Sequence, residues 1–165
     1  MKINGHTRAI SSEKPTHVKG GTEISKDAAG NYTLNLSNKK NNVVFEQKPN
    51  GSWTIAIDGK AKLQLSNDEM KNLTVNGNGG NDTFTVKNGK LPGKLNINGG
   101  DGNDSLKLGG DPAKDKVVDK NQVNWQPGTR HTDRDSFEYY VKGPAIGGEG
   151  DALKRNYVLR REANE

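Results

Sequence analysis

The chain has 165 residues, of which only 29% are hydrophobic and 21 are glycine, so a thick globular core is excluded and a thin interior is expected. It has no cysteine, which removes disulfides and thiolate metal sites, and its net charge of +5 is scattered rather than striped, which argues against a nucleic-acid partner. No apolar run approaches the roughly 18 residues of a membrane span, and no apolar stretch near Met1 resembles a secretory signal.

Residues 1–21 are polar, lack hydrophobic periodicity and end in Gly20-Gly21, so they read as a flexible leader. Met1 to Ser12 carry Lys2 and Arg8 but no acidic residue. Residues 22–125 read as β-hairpins leading into a repeat. Tyr32, Leu34 and Leu36 alternate with polar neighbours at period two. Val43 to Gln47 and Trp53 to Asp58 flank Lys48-Pro49-Asn50-Gly51-Ser52, a hairpin connection in which Asn-Gly supplies positive φ. Asp58-Gly59 makes a second tight turn into Ala61 to Ser66, and Asn67 to Asn72 is a polar connector with room for one helical turn.

The repeat follows. Leu73 to Val86 aligns without a gap on Leu95 to Leu108, at a spacing of 22 residues. Each unit is an alternating strand, a glycine and Asp/Asn-rich turn, and a second alternating strand. One such unit cannot bury its apolar face alone, so the period implies stacked coils. Lys87 to Lys94, with Gly89, Pro92 and Gly93, forms the turn on the opposite edge, and Gly109 to Lys116 repeats it. Leu63 and Leu65 are placed to supply the first rung, and Val117-Val118 with Val123-Asn124-Trp125 the last, Trp125 capping the end. Residues 126–165 read as a loop-rich tail with a short apolar cluster, Phe137 to Val141, and a helix from Asp151 to Glu162 with Asp151 as N-cap. The expected fold is mainly β: a short parallel β-solenoid or β-roll with 22-residue coils, N-terminal hairpin strands and a C-terminal helix.

Gly99-Gly100-Asp101-Gly102-Asn103-Asp104-Ser105-Leu106-Lys107 meets every fixed position of the nonapeptide G-G-x-G-x-D-x-U-x, and Gly77 to Thr85 meets all but one, Asn78 replacing a glycine. A third copy begins at Gly109-Gly110-Asp111 and breaks at Pro112. These residues, about 35 of the 165, resemble the RTX (repeats-in-toxin, haemolysin-type) calcium-binding repeat. Ca²⁺ takes six to eight oxygens, and such a turn offers carboxylates and carbonyls together. By position, the resemblance implies Asp82 and Asp104 as principal ligands, with Asp101 and the carbonyls of Gly77, Gly79, Gly99 and Gly102 beside them. The coil departs from the family. RTX rolls repeat each coil in about 18 residues and bind on both edges, whereas here the second edge carries Lys87, Lys90, Lys94 and Lys114. The alternative is an Asn/Asp hydrogen-bonded ladder that closes the coils without metal.

Other chemistry has little footing. His6, His17 and His131 have no metal-ligand partner at the needed spacing, and H-E-x-x-H, G-x-S-x-G, P-loop and dinucleotide motifs are absent from the sequence. The polar loop His131 to Asp135 reads as solvent-exposed. The acid-poor N-terminus resembles those of bacterial type III secretion substrates. The run from Asp58-Gly59 through Asn72-Leu73-Thr74-Val75 to the G-G-N-D turn resembles the β-rich region preceding the catalytic domain in some type III effectors, relatives of zinc metallopeptidases. That resemblance implies a secreted bacterial effector without its catalytic element. The expectation is a non-enzymatic binding or scaffold protein with a protein partner of unknown identity, and the RTX resemblance implies Ca²⁺ as its stabilising ion. The alternative is a degenerate or truncated effector metallopeptidase relative.

Overall fold

Apolar and polar residues alternate along the strands, and this sorts the side chains into one interior shared by two sheets. The computed structural model describes residues 1–10, 14–128, 133–146 and 154–163. The strands in chain order are β1 (Lys2–Ile3), β2 (His6–Thr7), β3 (Thr16–Lys19), β4 (Thr22–Lys26), β5 (Tyr32–Asn35), β6 (Asn42–Gln47), β7 (Trp53–Ile57) and β8 (Ala61–Leu65). A single helical turn, α1 (Asn67–Met70), follows, closed by a reciprocal capping box between Ser66 and Glu69. Then come β9 (Thr74–Asn76), β10 (Thr83–Val86), β11 (Leu95–Asn98), β12 (Ser105–Leu108), β13 (Gly110–Asp111), β14 (Lys116–Val117), β15 (Val123–Gln126), β16 (Ser136–Ile146) and β17 (Lys154–Ala163).

The fold is mainly β, and both large sheets are mixed. One has nine strands in the order β17-β16-β12-β10-β6-β7-β8-β1-β2, and the other six in the order β15-β11-β9-β5-β4-β3. From β5 onward the chain crosses repeatedly between them. As a result β6, β10, β12 and β16 pair in parallel in the larger sheet, while β5, β9, β11 and β15 do so in the smaller. The 22-residue spacing is the pairing register itself: Phe84 lies beside Leu106 and Val75 beside Ile97.

That register fills the core in rows. Leu34, Val75 and Ile97 line up in one sheet, and Val43, Phe84 and Leu106 in the other; all six are fully buried. Burying each such side chain contributes about 1.5–3 kcal/mol. The last row is aromatic. Phe137 extends the larger sheet, and Trp125, half-buried in β15, lies 6.1 Å from the Phe84 ring and 6.5 Å from that of Phe137.

Several expectations give way. The stretch expected to be a flexible leader supplies β1, β2 and β3, and Ile3, Ile10 and Val18 sit in the core. The first rung beside β10 is β6 rather than the Leu63-Leu65 strand; β7 and β8 are an antiparallel hairpin hung outside it. Of Asn50-Gly51, only Gly51 takes positive φ, whereas Asp58 and Gly59 both do. The C-terminal helix is absent: Lys154–Ala163 is β17, antiparallel to β16. The expected N-cap, Asp151, lies outside the described residues. Tyr157 and Val158 are strand formers, and the edge of β16 offers the segment a partner that an isolated helix would lack.

Candidate functional site

The Gly and Asp/Asn turns join the smaller sheet to the larger along one edge. Four turns stack there. At equivalent positions Leu36, Gly77 and Gly99 donate their backbone N–H to the carbonyls of Asn76, Asn98 and Gln126 in the following coil. Six positions into each of the first three turns stand Asn41, Asp82 and Asp104, and Asp135 completes the series. All four are buried, Asp82 and Asp104 completely.

Their side chains form a ladder. Asn41 N–H donates to Asp82 Oδ1 at 2.9 Å, Asp82 N–H to Asp104 Oδ1 at 2.8 Å, and Asp104 N–H to Asp135 Oδ1 at 2.8 Å. The asparagine before each aspartate works in the opposite direction. Asn81 Oδ1 accepts from Asn103 N–H at 2.8 Å, and Asn103 Oδ1 from Arg134 N–H at 2.7 Å. Each Asn-Asp pair thus clamps the coil before it and the coil after it. A parallel row, Asn98 to Asn76 at 2.7 Å and Asn76 to Asn35 at 2.8 Å, runs through side-chain amides. Beyond the first coil, Asp58 accepts from Asn42 N–H and from Asn41 Nδ2, at 2.7 and 2.9 Å.

The glycines make room for this arrangement. A Cβ on Gly77 would collide with the Gly99 carbonyl oxygen and lie 2.8 Å from Asp82 Oδ2; one on Gly99 would lie 2.9 Å from Asp104 Oδ2. The left-handed positions are Asn78, Gly80, Gly100 and Gly102, at φ of 62, 90, 79 and 103°. Gly77 and Gly99 therefore serve through the missing side chain rather than through an inverted backbone, whereas a Cβ on Gly79 would meet only ordinary contacts.

Burial leaves Asp82 Oδ2 and Asp104 Oδ2 without a hydrogen-bond partner. Burial is also the main cause that pushes the Asp82 carboxyl up to about 7, with repulsion from Asp58 adding to it and the Asn41 N–H opposing it. Asp104 is pushed up to about 8, again chiefly by burial, with the charges of Asp82, Asp135 and Asp133 adding and the Asp82 N–H opposing. At neutral pH Asp104 therefore lies on the protonated side of its midpoint and Asp82 close to its own.

The expected ligand set is only partly assembled. Asp82 and Asp104 stand one rung apart, but each commits one oxygen to a backbone N–H. Asp101 is exposed, and its N–H donates to the Asn78 carbonyl. Gly79 and Gly102 direct their N–H groups to Asn38 Oδ1 and Asp133 Oδ2. Among the described residues no group of three or more His, Cys, Asp or Glu could hold a metal ion. Of the side-chain oxygens in the expected set, Asp82 Oδ2 and Asp104 Oδ2 are the buried ones that accept no hydrogen bond.

Asp135, read from the sequence as part of an exposed polar loop, is buried and closes the ladder. Its signal is the tripeptide Asp135-Ser136-Phe137, which repeats Asp104-Ser105-Leu106 and Asp82-Thr83-Phe84, but 31 residues on rather than 22. The opposite edge, expected to carry Lys87, Lys90, Lys94 and Lys114 in place of aspartate ligands, is mixed in charge. Lys87 pairs with Glu46 at 3.3 Å and Lys114 with Asp111 at 4.0 Å. His6 and His17 are exposed on separate strands, and His131 lies outside the described residues. Among the described residues, no helix is long and apolar enough to cross a membrane. No family model, curated protein or solved structure matches the chain.

Proposed function

We propose that this protein is a non-enzymatic binding or scaffold module, a short RTX-like β-solenoid whose coils are locked by the buried Asn/Asp ladder instead of by metal. One observation carries the reading: the carboxylates at the repeat's aspartate positions accept the backbone N–H of the neighbouring coil. They are spent on coil-to-coil closure. The parallel strands at a 22-residue register support the solenoid description. Secretion, by a type III route, belongs to the same proposal, and it would require β1 to β3 to detach from the sheets during export.

A second reading has calcium replacing the ladder, and the two buried oxygens without partners favour it. In that reading Asp82 and Asp104 exchange their N–H donors for the ion. Thermal unfolding followed by circular dichroism, with millimolar Ca²⁺ and with EGTA, separates the two. The ladder predicts the same melting temperature in both. A calcium-dependent rise that disappears in Asp104→Asn would replace it with the metal-stabilised roll, since ligand bound only to the folded form raises stability by mass action.

A further inference from the structure

At the outer side of the first coil, three turns distant in sequence converge around a cavity of about 530 Å³. Lys19 comes from the β3–β4 turn, Lys39 and Lys40 from the β5–β6 turn, and Lys60 from the β7–β8 turn; all four are exposed. The convergence is built in. Gly21, at φ 90°, lets the first turn approach so closely that a Cβ there would sit 3.2 Å from Ser37 Cβ. The third turn is held by Asp58 and Gly59, both left-handed.

Among the described residues the only carboxylate in the lining is Asp58, and both its oxygens are engaged, by Asn42 N–H and Asn41 Nδ2. None of the four lysines forms an ion pair with a described residue. The larger cavity on the basic edge, about 840 Å³, differs in this respect. There Lys87, Lys90, Lys114 and Lys116 face four carboxylates, including Glu46 and Asp111. A concave wall with charge of one sign focuses its field on whatever enters, and lysine ammonium groups suit multiply charged oxyanions as mobile point charges.

We propose that this cavity binds a small ligand carrying clustered phosphate or sulfate groups. Its volume lies within the range of ordinary small-molecule sites, roughly 300–1,000 Å³. The cavity lies at the outer end of the ladder, where Asn41 and Asp58 line it, and includes neither Asp82 nor Asp104.

Calorimetric titration with inorganic pyrophosphate at low ionic strength tests the proposal, with inorganic phosphate as the singly grouped comparison. Pyrophosphate is expected to bind more tightly than phosphate and to weaken as salt is added. The double variant Lys39→Gln/Lys60→Gln is expected to lose about tenfold in affinity, and Lys90→Gln/Lys114→Gln to stay within about twofold of the parent. Equal losses in both pairs would mean diffuse attraction to a basic protein and overturn the site, as would no pyrophosphate binding at all. Amide shifts in the unmodified protein give a test independent of the variants' folding. Changes confined to Lys19, Ser37 to Lys40 and Lys60 support the site; changes centred elsewhere refute it.

Discussion

A buried carboxylate that accepts one backbone N–H has two distinct parts, and Asp104 shows both. Its Oδ1 satisfies the Asp82 N–H, so Asp104→Ala leaves a buried donor without a partner and is expected to cost about 1–3 kcal/mol in denaturant unfolding. Its proton is a separate matter. Below about pH 4 the carboxyls of Asp82 and Asp104 are protonated in folded and unfolded chains alike. Between there and about 7 to 8 the unfolded chain ionises while the buried groups retain their protons, so stability from these two groups falls as pH rises and then levels. In EGTA the melting temperature is expected to be higher at pH 5 than at pH 8, and Asp104→Asn, which keeps an acceptor, is expected to flatten that slope. An unchanged slope in the variant would remove Asp104 as its source. Gly77→Ala, forcing a methyl against the Gly99 carbonyl, is expected to destabilise by about 1–3 kcal/mol. The nonapeptide marked Asp82 and Asp104 in the sequence, but residue types alone could not say whether their oxygens face an ion or a peptide group. That depends on the coil above, which local sequence does not contain.

At the level of elements, the alternating strands were legible wherever the period of two ran clear, as in Tyr32 to Leu36 and Trp53 to Ile57. The two units at a spacing of 22 were legible because nothing interrupts them. The outer coils were hidden by insertions. The separation between Asn41 and Asp82 is 41, because β7, β8 and α1 intervene, and that between Asp104 and Asp135 is 31, because β13 and β14 intervene and the turn before Asp135 is longer. The segment 154–163 was misread because its apolar residues fit a helical stripe, and only the neighbouring edge of β16 decides for a strand. If coils are interchangeable units, removing Lys87 to Leu108 joins Val86 to Gly109 with every row in phase. The shortened chain is then expected to keep a strand-type circular dichroism spectrum and one cooperative transition at a lower temperature. Loss of the folded state would show that the central coil supplies contacts its neighbours cannot.

Across the whole molecule, the two edges of the stack obey different rules. On the ladder edge the first three turns have the same length, since their side chains must meet the coil above at fixed height; the fourth, from Pro127 to Asp135, is longer. On the other edge, connections range from the eight residues of 87–94 to a stretch containing a hairpin and a helical turn. The aspartates act on one side only, while the lysine-bearing side is joined by other groups: Asn88 Oδ1 accepts from Gln47 N–H, Gln47 Oε1 from Lys90 N–H, and Lys87 pairs with Glu46. Length is therefore free to vary on that margin and not on the ladder edge, so loops displayed there would stand in a row at the spacing of neighbouring strands, about 4.8 Å, provided that Leu91 keeps its place in the core and Gly89 its place against Gln47 and Trp53.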